Sequence, residues 1–169
     1  MIDPADIAAV QAQLGRPPRD IVAIARRCEC GQPCVVTTPP RLFDGTPFPT
    51  TYYVTCPRLA GAIGTLEGSG LMREMEERLA HSPELRAAYR AAHERYLADR
   101  AALGDVVEVD GISAGGMPNR VKCLHVLVGQ SLASGPGVNP FGDEAVELVG
   151  RWWTGDACGG PVLNDDAHE

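Results

Sequence analysis

Apolar residues recur along this chain with two different spacings, and the change falls near Pro57. Ahead of it the segments are short. Ile7, Val10 and Leu14 stand at i, i+3 and i+7 behind Asp3-Pro4, an N-cap followed by proline at the first helical position. A helix over Asp3 to Leu14 is predicted. Ile21 to Arg26 is a compact apolar run suited to a buried strand, Cys28 to Pro33 a tight turn, and Cys34 to Thr38 the returning strand. Pro39-Pro40 ends that strand, because proline has no N–H for a ladder. T-T-Y-Y-V-T, Thr50 to Thr55, is the segment with the strongest strand composition.

Beyond Pro57 the period lengthens to that of helices. Arg58 to Glu67 is followed by the stripe Leu71, Met72, Met75, Leu79. Ser82-Pro83-Glu84 starts a helix that carries Leu85, Tyr89, Ala92 and Tyr96 and runs to Leu103. Val106 to Val109 reads as a short strand. Val121 to Leu132 is apolar enough to cross the core, with its N-terminus near Pro118 and its end at Gly135-Pro136-Gly137. Asp143 is expected to cap a last helix ending near Trp153. The pattern predicts an α+β fold: a small N-terminal antiparallel sheet of about three strands packed by about five helices. Residues 1–153 are expected to form a single domain, and the acidic segment 154–169 to be disordered.

Composition narrows the partners. The chain has 169 residues, 44% of them hydrophobic and 22% charged, an ordinary balance for one domain with a core. A net charge of −7 excludes a general nucleic-acid binder, which needs surplus cations along the phosphates. No apolar run approaches the ~20 residues that span a bilayer, and M-I-D-P-A-D-I lacks the cations of a signal peptide. A cytoplasmic location is expected. The six cysteines are then thiols or ligands.

The chemistry concentrates in S-A-G-G-M-P-N-R-V-K-C-L-H, Ser113 to His125. Three arrangements fit it. In the first, Ser113, Gly115 and Gly116 lead into a helix N-terminus that cradles a small anion, with charge-assisted bonds from Arg120 and Lys122. On a helix those two cations are separated by about 200° of rotation, so they cannot share one face. The P-loop spacing is absent. In the second, Cys28, Cys56, Cys123 and His125 hold a metal, zinc by ligand type, with His93 as a spare ligand. His125 joins Cys123 only if the first helical turn is irregular. In the third, Cys123 is a nucleophile with His93 or His125 as base.

The order of motifs also carries a resemblance. D-G-T-P-F-P-T at Asp44 to Thr50, G-L-M-R-E-M at Gly70 to Met75 and A-H-E-R-Y at Ala92 to Tyr96 precede the Ser113 to His125 stretch. G-P-G-V-N-P-F-G-D-E at Gly135 to Glu144 follows it. Over Leu14 to Leu148 the chain resembles the DUF501 family of actinobacteria. The family turn after the first strand has one cysteine, matching Cys28, so the resemblance leaves Cys30 and Cys34 as extras. The family's gene neighbourhood, near a septum-formation gene and an exopolyphosphatase gene, implies a cytoplasmic housekeeping role. The leading expectation is a small-anion or phosphometabolite-binding protein, with His93 as acid–base group if chemistry occurs. The alternative is a non-catalytic module that binds a protein partner in cell division and uses its Cys/His groups structurally.

Overall fold

The β-branched and aromatic runs ahead of Pro57 form one sheet. In the computed structural model, which describes residues 1–153, β1 (Ala23–Arg27), β2 (Pro33–Thr37) and β3 (Tyr52–Val54) are antiparallel in the order β1-β2-β3. The segment 154–169, with its expected disorder, and Cys158 lie outside the described residues. Val36 faces Ile24 on one side and Tyr53 on the other, so β2 is central and buried along its whole length. Helix α1 (Pro4–Leu14) precedes the sheet and starts as predicted, with Asp3 accepting a bond from the Ala5 N–H at 2.8 Å. The architecture is α+β, with six α-helices among the described residues where about five were expected.

The helices after the sheet are α2 (Pro57–Glu67), α3 (Leu71–His81), α4 (Pro83–Ala101), α5 (Leu124–Ser134) and α6 (Pro140–Val149). None of the described helices is long and apolar enough to cross a membrane. Helix α5 is the core element: Leu124 and every residue from Val126 to Leu132 are buried. It packs against β3, α2 and α6. A helix apolar on nearly all sides must be enclosed, and its fully buried Gln130 is satisfied internally. Gln130 donates to the Ala92 carbonyl at 2.8 Å and accepts from Asn139 at 2.9 Å.

Four assignments differ from the sequence reading. Val107–Val109 is a 3₁₀ turn rather than a strand, and Arg100, itself buried, donates to the Val109 carbonyl at 2.6 Å. Helix α6 is capped by Asn139, whose side chain accepts from the Gly142 N–H at 2.9 Å. Asp143 instead accepts from the Gly137 N–H, tightening the preceding turn. Helix α6 also ends at Val149, where Gly150 adopts φ 64°, well before Trp153. The largest shift is at α5, which begins at Leu124 and not near Pro118 or Val121.

Helices α5 and α6 touch through Gly142. A Cβ there would collide with the Leu127 carbonyl oxygen and Ser131 Oγ, so only glycine allows this crossing. Gly142→Ala is expected to destabilise the fold by roughly 1–3 kcal/mol or more, as overpacking does. Gly61→Ala, mid-helix in α2 with open space around it, is expected to stabilise by roughly 0.5–1 kcal/mol. Thermal melts of the two variants, moving in opposite directions, check this packing.

Candidate functional site

The residues from Ser113 to Arg120 form a turn that closes on itself. Gly115 and Gly116 have φ values of 69° and 92°. A Cβ on Gly116 would sit 2.8 Å from the Arg120 carbonyl oxygen, and one on Gly115 would sit 3.2 Å from that of Cys123. The Gly116 carbonyl accepts from Arg120 N–H at 2.8 Å, and that of Gly115 from Lys122 N–H at 2.7 Å. The glycines therefore serve a close approach of chain to chain. Tyr89 holds the far side, donating its hydroxyl to the Arg120 carbonyl at 2.8 Å.

One of the donors assigned to an anion by the sequence reading, Arg120, is engaged by an acid of the protein itself. Glu76 Oε1 accepts from Arg120 Nε at 2.6 Å and from the Val121 N–H at 3.0 Å. The Arg120 guanidinium, then the Val121 N–H, hold the Glu76 carboxyl below its ordinary range, and the charge of Lys122 adds to this. Residues 120–123 are not helical, so Arg120 and Lys122 are not set on opposite helix faces; both act on Glu76. Ser113 is buried, with its Oγ 2.8 Å from His93 Nδ1. Burial, then the charge of Arg90, lowers the His93 pKa.

Three residues do converge at the head of α5. Ligand atoms of Glu67, Cys123 and His125 lie within 4.8 Å of one another. Cys123 is the N-cap, extended at φ −152° and ψ 108°, and His125 is in the first turn. The late helix start thus supplies the irregularity that lets residues 123 and 125 face one place. Glu67 ends α2 and accepts from the Leu124 N–H at 2.8 Å, with His125 Nδ1 3.0 Å from the same oxygen. His125 Nε2 lies 3.1 Å from the Ala60 carbonyl. A carbonyl only accepts, so Nε2 carries hydrogen and Nδ1 faces the acid. The Cys123 side chain first, and Glu67 after it, hold the imidazole pKa up to about 9 against the opposing effect of burial.

Cys123 and His125 border a cleft of about 470 Å³, walled also by Gln13, Thr50, Tyr52 and Tyr53. The His125 and Glu67 side chains are 34% and 25% exposed, enough for a small solute to reach them. A nucleophile–base–acid relay is not laid out here. It requires the thiol on one ring nitrogen and the carboxylate on the other, whereas Nε2 is committed to Ala60.

Cys28 and Cys56 are not part of this group. They belong to a separate buried cluster in which the Cys28 thiol bonds to both Cys34 and Cys56. Trp152 Nε1–H donates to Cys28 Sγ at 3.3 Å. The bond to Cys34 leads in raising the Cys28 pKa, and the bond to Cys28, then burial, raises that of Cys56. Neutral, enclosed thiols of this kind pack as small hydrophobes.

Sequence reasoning missed Glu67. A signal for it exists: an acid at a helix C-terminus opposes the macrodipole, and the last turn of α2 has no compensating base.

The family profile described as "Protein of unknown function (DUF501)" matches residues 24–147 of the chain. The protein belongs to the DUF501 family. No curated protein and no solved structure matches it significantly. The match spans the sheet, α2 to α5 and most of α6, so the DUF501 region contains Glu67, Cys123 and His125.

Glu76 and Arg120 differ in what they hold. Arg120 is 59% exposed, so Arg120→Ala is expected to cost only about 0–1 kcal/mol. Glu76→Ala also strands the Val121 N–H and is expected to cost roughly 1–3 kcal/mol. Denaturant midpoints of the two single variants and the double variant check the order.

Proposed function

We propose that this DUF501 protein binds one divalent metal ion of the zinc class between α2 and α5. Glu67, Cys123 and His125 are its protein ligands, and the fourth position opens to the cleft. The observation that carries this reading is the convergence of the three donor atoms within 4.8 Å. A tetrahedral zinc site sets S, N and O donors about 3.3–3.6 Å apart, given metal–ligand bonds of about 2.0–2.3 Å. Closing the present group onto an ion therefore needs shifts of about 1 Å or less. The ring of His125 is already oriented: its Nε2–H on the Ala60 carbonyl is the outer bond that metal-bound histidines make. A metal ion and a proton compete for the same Nδ1 lone pair, so binding releases a proton.

Charge decides what the fourth position takes. A divalent ion with a thiolate and a carboxylate is formally neutral. The open position suits water or a small monoanion, held in the 470 Å³ cleft. A small anion at the open position would lie at the far end of the 113–123 stretch, beside Cys123 and His125. With three protein ligands and one open position, the site has the composition of a catalytic centre rather than a closed structural one.

The chain purified without tag or chelator is expected to carry about one equivalent of zinc, since a three-ligand protein site retains its ion. Cobalt substitution should add a thiolate-to-metal absorption band. Cys123→Ala should abolish the band, and His125→Ala should weaken metal affinity by more than the roughly 10–100-fold typical of outer-sphere losses. A metal-free protein that shows no cobalt band would refute the reading.

A further inference from the structure

A second groove lies on another part of the surface, between α3, α4 and the 113–120 turn. Its volume is about 440 Å³, and it is lined by Glu76, Arg86, Arg90 and Asn119 over an apolar floor that includes Leu79 and Pro118. From this groove we infer a binding site for a phosphoryl dianion, free or carried on a small molecule.

The charges of the groove are disposed to receive an anion. Arg86 and Arg90 are one turn apart on α4 and so present their guanidinium groups to the same region. Neither forms an ion pair among the described residues. Glu94, one turn beyond Arg90, makes no such pair with it either. Arg86 is nonetheless fixed in place. Its Nη1 donates to the Leu79 and Ala80 carbonyls at the end of α3, at 3.1 and 2.8 Å. That leaves Nη2 and Nε for a ligand. The acid in the groove, Glu76, is already neutralised by Arg120 at 2.6 Å. The groove thus holds two uncompensated cations, one of them pre-oriented, and an amide side chain at its rim.

Guanidinium pairs match the paired oxygens of phosphate, and two of them offset a dianion. The metal site at the head of α5 is formally neutral when loaded and does not compete for such a ligand. The 113–120 turn therefore contributes to anion recognition from its outer side, through Asn119, while its Met117 and Arg120 N–H groups are used internally.

The test is a titration of the full chain with inorganic phosphate and with glycerol phosphate, followed by calorimetry. The His93 imidazole resonances serve as a local probe, because His93 is within the field of Arg90. Saturable binding that shifts His93, is weakened about tenfold or more by Arg90→Gln and survives Cys123→Ala is the expected result. Arg90 is exposed, so its substitution leaves the fold intact, and a thermal melt checks this. Tighter binding of glycerol phosphate would assign a phosphomonoester; equal binding would assign free phosphate. No saturable binding of either probe, or binding indifferent to Arg90→Gln, would overturn the inference. Binding lost in Cys123→Ala but kept in Arg90→Gln would also overturn it, by moving the anion to the metal site.

Discussion

The carboxylate of Glu67, bonded to the Leu124 N–H at 2.8 Å, fixes where the central helix begins. The first N–H groups of a helix have no partner inside it, and Leu124 at the head of α5 is buried. Glu67 from α2 satisfies one of them, and Glu76 from α3 satisfies the Val121 N–H just upstream. Between these two anchors the chain stays out of the helix, and Cys123 turns to the same place as His125. If the helix began at Val121, the two side chains would lie on opposite faces. The starting point of α5 thus decides whether the site exists.

The rest of the molecule keeps that starting point rigid. Helix α5 is clamped by the sheet on one side and by α6 on the other, where Gly142 lets the backbones nearly touch. The buried chain of bonds from Asn139 to Gln130 to Ala92 locks α5 lengthwise against α4. Tyr89 and the paired glycines lock the loop that feeds into it. A site assembled from a helix cap is only as ordered as the loop before it, and here that loop is tied at several points.

Much of the fold was legible because it is local. The β-rich Thr50 to Thr55 run, the Ser82-Pro83 start and the apolar α5 each announce one element. The small antiparallel sheet and most of the helices followed from these. The errors came where a distant residue overrides a local preference. Val121 to Cys123 has helical character, yet Glu76 and Glu67, 45 and 57 residues away, hold it out of the helix. Asp143 has the composition of a cap, but Asn139 is placed to do the work. At the site, Cys123 and His125 stood out by residue type. Glu67 did not, since only its awkward position at a helix end distinguishes it from any surface acid. Cys28 and Cys56 attracted notice for the same chemistry but meet Cys34 and Trp152 in the core.

These two groups of thiols give the sharpest way to examine the central claim, that metal binds at the head of α5. X-ray absorption at the zinc edge of the purified chain counts the sulfur ligands directly. A metal held by Glu67, Cys123 and His125 gives one sulfur at about 2.3 Å with the remaining donors nitrogen or oxygen at about 2.0–2.2 Å. A shell of two or more sulfurs would assign the ion to the Cys28, Cys34 and Cys56 cluster, and would contradict a centre built on Glu67, Cys123 and His125.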